Sequence, residues 1–478
     1  MKKLHIKNIV LFLLVFNLTS CENDFLDEPQ PATQVSSEVV FGSKKGINAY
    51  MSGIIRYLRA DWSSVDSSGF NAMLYARSVK GNDVINKATW YQWDYENINR
   101  EPTWRRPRFS WTYPYIIIDE TNHFIRGVEA TTAVEESFKT QMIAQAKAIR
   151  AYFYFQLALE FQHAYNYDPS LSAPPLYKEP ASVTGPKGMS TLQEMYDFIL
   201  EDLTFAVENL STDRISKSYV NVNVANGMLA QVYQTMNNWT GAEEAARKAY
   251  GGSPSSVLHP EQYNNGFDDI AESDEWMWGM AQTEDQNQGW AGAPHVIADH
   301  RVLTYYGTYF NNDFVALFSD TDVRNLFENR YGGGDNVFWR WVSNKFAFTF
   351  ACDVPFMRTA EMILIEAEAK YHNGDAAGAH NLLFALQSNR DPEAVKSTNT
   401  GTALLDEILV ERRKELYAEN GVEWFDAKRY RKGITRTGNH RIGTSASLTP
   451  DDKRFFLKVP QEEIDSNEFI DDSVNADR

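Results

Sequence analysis

Two groups of residues in this 478-residue chain have types and spacings suited to chemistry. The first is a single thiol. Cys21 closes the run Leu18-Thr19-Ser20-Cys21, behind an apolar stretch over 9–16 that follows Lys2, Lys3 and Lys7. A basic head, a short apolar run and small residues at a cleavage point describe a secretory leader, too short to stay as a spanning helix. A cysteine directly after the small pair is the pattern at which a bacterial leader is cut and the thiol acylated. Each buried methylene contributes about 0.8 kcal/mol, so several acyl chains on one residue hold a protein at a bilayer. Residues 1–20 are therefore expected to be a signal peptide, Cys21 the lipidated residue, and 21–40, with Pro29 and Pro31, an extended linker. About 20 such residues at roughly 5–6 Å × √n reach about 25 Å. Cys352 is then left without an intrachain partner, so core size rather than disulfides must stabilise the fold.

The second group is aromatic. Phe, Trp and Tyr make up 13% of the chain, and many lie outside periodic stretches. Most must pack in the core, but an exposed indole or phenol face meets the C–H face of a sugar ring well. Catalytic constellations are missing from the sequence. The nine histidines never take the His-x-x-x-His spacing that puts two imidazoles on one helix face, and there is no Gly-x-Ser-x-Gly elbow. Tyr331-Gly332-Gly333-Gly334-Asp335 lacks the Lys and following helix of a phosphate cradle. With 64 acids, choosing two as a glycosidase pair would be arbitrary. The expectation is a binding protein, not an enzyme, with no cofactor and no metal. A formal charge of −18 argues against nucleic acid as a partner.

The elements that must position these groups are mostly helical. Ile47, Met51, Ile54, Ile55 and Leu58 recur at three- and four-residue intervals, and helices are also expected over 115–128 and 138–165. Ala144 to Phe153 alternates small and bulky residues, which lets helices approach closely. Helical hairpins of tetratricopeptide type follow: 192–210 then 225–237, the turn Asn238-Trp239-Thr240-Gly241 and 242–250; then 358–371, the turn His372-Asn373-Gly374-Asp375 and 376–388; then 403–419. Between 61 and 114 the periodicity fails. Between 251 and 355 the pattern changes to short β-prone pieces, Glu275-Trp276-Met277-Trp278 and Phe346-Ala347-Phe348-Thr349-Phe350, in an irregular insertion. On the 403–419 helix, Leu405, Ile408, Leu409 and Leu416 share a face, Glu411–Lys414 and Arg412–Glu415 are i,i+3 pairs, Gly421 supplies the stop, and Arg413 is placed to meet Asp426.

Five motifs in order resemble the SusD/RagB family of outer-membrane nutrient-binding lipoproteins of Bacteroidetes. They are Cys21 with Phe25-Leu26-Asp27; Ala148-Ile149-Arg150-Ala151-Tyr152-Phe153; Arg358-Thr359-Ala360-Glu361 with Ile365-Glu366-Ala367-Glu368-Ala369; Glu411-Arg412-Arg413-Lys414-Glu415-Leu416 running to Trp424-Phe425-Asp426; and Val459-Pro460-Gln461-Glu462-Glu463-Ile464. Asn420 and Glu423 stand where that family usually carries Glu and Arg, so the packing there is expected to differ. The resemblance implies a mainly α fold: one domain over 41–478, with tetratricopeptide-like hairpins in 43–250 and 356–430 and a loop-rich insertion at 251–355. It also implies a surface-exposed outer-membrane lipoprotein that passes an oligosaccharide to a TonB-dependent transporter. Alternatives are a peptide-binding or adhesive surface protein, or a glycan-degrading enzyme.

Ligand is expected to stack on aromatics of the two irregular regions, Trp62, Trp90, Trp93, Trp290, Tyr305, Tyr306 and Tyr309. Arg77, Asn82, Asp83 and Asp299 would take sugar hydroxyls. Trp111, Tyr233, Trp239, Trp276 and Trp278 are expected in the core. Cys21→Ala should move the protein from the membrane to the soluble fraction of lysed cells; a variant that still sediments with membranes rules the anchor out.

Overall fold

The small-and-bulky alternation falls within a 26-residue helix whose side chains are buried without a break from Ala148 to Phe161. A helix buried on all sides is central, and its Arg150, Gln156 and Glu160 are buried with the apolar residues. The structure, a computed structural model, describes residues 36–59, 64–87, 89–286, 297–298, 301 and 307–478. In chain order the helices used below are α1 (Lys44–Arg56), α2 (Gly69–Ser78), α3 (Arg105–Ala130), α4 (Glu136–Phe161), α5 (Leu192–Asn209) and α6 (Val222–Met236). They continue as α7 (Trp239–Tyr250), α8 (Thr359–His372), α9 (Ala376–Arg390), α10 (Thr402–Leu416), α11 (Val422–Arg429) and α12 (Gln461–Ser466). Each helix from α3 to α9 packs on the next, and α7 packs directly on α8. The array therefore runs on across the insertion, which loops out from between two touching helices. The mainly α expectation holds.

Local chemistry sets the hairpins. Thr191 and Glu194 form a capping box at α5, Asn238 accepts from the Gly241 amide to start α7, and Asp375 accepts from the Gly378 amide to start α9. The turn before α9 needs Gly374 at φ +88°, and α6 ends on Asn237 at φ +58°. Trp111 and Trp278 are buried in the helical core, with Tyr233 and Trp239 half-buried against it, and Trp276 is buried in a second cluster. The Trp239 ring stacks 4.0 Å from His372, which joins the two hairpins.

Several expectations are corrected. Residues 61–114 contain α2 and the start of α3. Every residue of α2 is buried, polar Asn71, Arg77 and Ser78 included, so the helix has no solvent face and hence no apolar period to read. Pro114 lies inside α3, not before it. An interior proline costs about 3 kcal/mol, which burial of Phe109, Trp111, Tyr113 and Ile117 around it offsets. The linker expected to 40 ends in a short helix, Ser37–Phe41. Helix α10 stops at Leu416, and Gly421, at φ +72°, starts α11 instead. A Cβ there would lie 2.3 Å from the Arg77 Cβ.

Two strand pairs join the insertion to the rest of the chain, built from β1 (Val84–Asn86), β2 (Trp276–Met280), β3 (Thr308–Phe310) and β4 (Val354–Arg358), and a short pair, Phe327–Glu328 with Val342–Ser343, lies within it. β1 pairs antiparallel with β3, Ile85 opposite Tyr309, and β2 pairs antiparallel with β4, Trp276 opposite Arg358. The β-prone run 346–350 forms no strand; the partner of β2 comes four residues later. A second apolar cluster, including Tyr75, Tyr91, Tyr95, Phe310, Phe314 and Tyr417, fills the space beneath.

A buried ionic network locks this subdomain to the helices. The Glu415 carboxylate accepts from Arg358 Nη1 at 2.8 Å, Arg390 Nη2 at 2.9 Å and Arg324 Nη1 at 3.1 Å. Arg390 also donates to Glu275 of the insertion at 2.8 Å, and Arg358 to Glu419 at 2.8 Å. Lys345 reaches Glu419 at 2.6 Å, and Arg324 holds Asp322 at 2.9 Å. The expected i,i+3 pairs on α10 do not form, because Glu411, Arg412 and Glu415 lie on its buried face with Leu404 and Ile408 and turn to other elements. Arg412, not Arg413, pairs with Asp426, at 2.8 Å. Arg413 projects from another side of α10 and takes Asp83 at 3.0 Å.

Replacing Glu415 by Gln leaves three guanidinium groups short of a buried counter-charge. The expected loss is about 3–5 kcal/mol in urea unfolding; a loss under about 1 kcal/mol, the scale of an exposed pair, would refute the network's role. A second group works in the opposite sense. Burial pushes the Glu361 carboxyl from its ordinary 4.5 up to about 7. The folded state then holds a proton that the unfolded chain releases, so this group's contribution falls as pH rises from about 4.5 to about 7 and is level above. Glu361→Gln should gain stability relative to the parent across that window in melting scans; a pH-independent difference contradicts the assignment.

Candidate ligand-binding site

The short helix Gln92–Tyr95 decides which aromatics of the first irregular region see solvent. Tyr91, Asp94 and Tyr95 occupy its inner side and are fully buried. The Tyr91 hydroxyl donates to the Val65 carbonyl at 2.9 Å, and Tyr95 meets His440 Nδ1 at 2.8 Å under the Arg436 guanidinium, 4.0 Å from its ring. Asp94 receives both Nε and Nη2 of Arg106, at 3.0 and 3.1 Å, from the first turn of α3. With 91, 94 and 95 turned inward, 90 and 93 face out. Trp90 is 38% and Trp93 47% exposed. Large indoles left open on a pinned backbone form a rigid apolar surface that loses little entropy on binding.

Two further residues complete the platform. Trp104 lies beside Trp93, ring centroids 5.2 Å apart at 39°. Arg105 sits 5.9 Å from the Trp90 ring and is held by buried Asp66, Nε to Oδ2 3.1 Å. Arg105 also lines a cleft of about 680 Å³, shared with Ser67, Thr103, Arg108, Gln461 and Glu462. Its size falls within the range of about 300–1,000 Å³ typical of small-molecule sites. Donors and acceptors of both signs line it, with Arg108 paired to Glu462 at 2.9 Å. Such a wall suits a neutral polyhydroxylated ligand better than an ion. No histidine, cysteine or lysine lines the cleft. Among the described residues no group of three or more His, Cys, Asp or Glu is placed to hold a metal ion.

Of the residues expected to bind, Trp90 and Trp93 share this platform. Arg77 does not reach it: the side chain is buried, bonded through Nε to Glu160 and through Nη1 to Gln156 at 2.8 Å. Asp83 is buried on Arg413. Both are interior ion pairs, and the expectation that they take ligand hydroxyls is corrected. Asn82 is half-buried; its Oδ1 accepts from the Thr437 amide at 2.8 Å and its own amide donates to Glu423 at 2.7 Å. Glu423, one of the two departures from the family pattern, thus anchors the 81–83 loop, and burial beside Asp83 pushes its carboxyl up to about 7. Tyr309 is also corrected: it lies buried in β3 beneath a different patch, where Tyr331 and Trp339 are 41% and 40% exposed. Trp62, Trp290, Asp299, Tyr305, Tyr306 and Cys21 fall outside the described residues. Trp104, Arg105, Arg108 and Gln461 were missed by sequence reasoning. Trp104 was visible in the aromatic-rich stretch, but nothing local ties 461 to 105, which are 356 residues apart.

Comparison with known proteins agrees with this architecture. The family described as "SusD family" matches residues 348–470, and the family described as "Starch-binding associating with outer membrane" matches residues 24–234. A SusD-like protein of Bacteroides ovatus is 30% identical over 132 residues, which are 27% of this chain and 22% of that relative. Among solved structures, a SusD-like carbohydrate binding protein from Bacteroides vulgatus superposes with a TM-score of 0.79 at 23% identity, covering 89% of this chain and 97% of that one. A SusD superfamily protein from Bacteroides thetaiotaomicron gives 0.75 at 22% identity over 89% and 98%. Another from Bacteroides fragilis gives 0.76 at 22% over 90% and 99%. Among the described residues no helix is long and apolar enough to cross a membrane.

Proposed function

Because the chain belongs to the SusD/RagB family, we propose that it is a non-catalytic surface receptor that captures an oligosaccharide and delivers it to a TonB-dependent transporter in the outer membrane. Carbohydrate binding is what the matched starch-binding family and the similar solved structures support most directly. The observation that carries the reading on this chain is the open pair Trp90 and Trp93, backed by Trp104 and bordering a mixed-charge cleft. Sugar rings stack on the indoles while hydroxyls exchange hydrogen bonds with Arg105, Thr103 and Gln461 at the cleft wall. Lipid attachment at Cys21 and a linker reaching to about residue 36 would hold this surface close to the membrane while leaving it free to hinge. Trp62, Trp290, Tyr305 and Tyr306, with Asp299, lie outside the described residues and remain proposed contributors.

Trp90→Ala and Trp93→Ala remove exposed faces, so both variants should melt as the parent does. Each is expected to lose about 1–2 kcal/mol of binding, roughly 5- to 30-fold, in affinity electrophoresis or calorimetry against a polysaccharide panel. Glycan recovered from the complex should be chemically unchanged, and a large β-barrel protein should co-purify from membranes with parent and variants alike. Parent affinity in both variants places the site elsewhere, turnover of the glycan makes the protein an enzyme, and recovery only as a free monomer under gentle extraction removes the transporter from the reading.

A further inference from the structure

A separate pocket lies further along α3, and its chemistry differs from that of the cleft. Trp111, Tyr115, Asp119 and Asn122 recur at three- and four-residue intervals, so they form one stripe of the helix. Tyr177, from the segment before α5, and Glu463, from α12, face that stripe across a cavity of about 230 Å³. Three ring systems form its walls. Tyr115 stands 5.4 Å from Trp111 and 5.8 Å from Tyr177, the last pair nearly perpendicular at 83°. The rings are pinned at their polar ends: the Tyr115 hydroxyl donates to the Pro175 carbonyl at 2.7 Å, and Trp111 Nε1 donates to Glu463 at 3.1 Å. The Tyr177 hydroxyl accepts from the Lys187 amide at 3.2 Å.

The charged residues in the lining are both acidic. Asp119 and Glu463 are the two, and no lysine, arginine or histidine lines the pocket. Asp119 Oδ1 accepts from the Ala181 amide at 2.8 Å, and His123 stands 3.6 Å from Oδ2. Glu463 accepts from Trp111 on one oxygen and from Asn467 on the other, at 2.7 Å. A carboxylate has about four lone-pair directions, so each retains acceptor capacity toward the cavity. The Trp111 and Tyr115 faces add negative electrostatic potential to that of the acids, and Lys187, outside the lining, stands over the Tyr177 ring with Nζ 5.6 Å from its centre. A small, strongly hydrated metal ion needs converging oxygens in a space far smaller than this one. A cation with an apolar exterior fits the rings and the volume together.

We propose that the pocket formed by Trp111, Tyr115 and Tyr177 with Asp119 and Glu463 is a second binding site, for an organic ammonium group. The group could be presented by a free small amine or by a lysine side chain of another protein, and its recognition by rings and carboxylates is the same. The site stands independently of the glycan reading, because none of these residues lines the cleft that Arg105 and Arg108 share with Gln461.

Calorimetry on the purified full chain decides it. Choline should bind saturably at one site, about tenfold or more tighter than its neutral isostere 3,3-dimethylbutanol. Asp119→Asn, nearly isosteric and half-exposed, and Tyr177→Leu should each weaken choline about tenfold, while Trp90→Ala leaves it unchanged. Nα-acetyl-lysine amide provides the second arm: tighter binding than choline assigns the site to a protein side chain, and weaker binding assigns it to a free amine. Equal affinity for choline and the neutral alcohol, choline binding untouched by Asp119→Asn, or no binding by either cationic probe overturns the proposal.

Discussion

The carboxylate of Glu415, buried among three arginines, is the contact through which the two halves of this molecule acquire a fixed relation. Arg358 begins α8, Arg390 ends α9 and Arg324 belongs to the insertion, so one anion gathers three distant stretches of chain. Arginines hold the Glu415 carboxyl well below the ordinary carboxylate range, despite burial that pushes it the other way. Desolvating so many charges costs as much as their attraction returns, so the network adds little net stability over an apolar core. Removing one member is another matter, since the rest are left unpaired in a medium that cannot screen them. What it ties together is arrangement: Arg324 and Glu275 of the insertion meet Glu415 and Arg390 of the helices in one cluster.

That docking propagates to the platform. Tyr75, Tyr91 and Tyr95 share an apolar cluster with Phe310, Phe314 and Tyr417, and Tyr417 directly follows α10. The segment bearing Trp90 and Trp93 is thus seated on the same surface that the ionic network positions. The Asp94–Arg106 pair repeats the device on a smaller scale, tying the loop to the first turn of α3. Rigidity of this kind suits a site that works by stacking, where affinity comes from faces already held in place. The protein's net charge of −18 and the balanced charges of the cleft are also consistent, because a neutral ligand is neither steered nor repelled by the overall field.

The pocket on α3 follows another logic. It lies where the helical array meets the segment before α5 and the C-terminal α12, and it concentrates negative charge beside rings where the cleft balances both signs. Two surfaces of different chemistry on one helix would let a receptor hold a sugar and a cationic group at once.

Much of the scaffold was legible because it is local. Periodicities of three and four, the turns at 238–241 and 372–375 and the small-residue run of α4 depend on near neighbours in the chain, and they located the hairpins to within a few residues. The Cys21 pattern and the chain-wide order of motifs are likewise properties of sequence, and they carried the family. Partners across long separations were not legible. Arg412 and Arg413 are adjacent, yet one turns to Asp426 and the other to Asp83, 330 residues away, because the helix rotates about 100° between them and each face meets a different element. Nor could composition separate Tyr91 from Trp90 or Arg77 from Arg105. Each pair matches in chemical type, and which member is buried depends on what the tertiary fold brings against it. Side-chain type sets what a residue is able to do, and desolvation by distant chain decides whether it packs, pairs or stays open to a ligand.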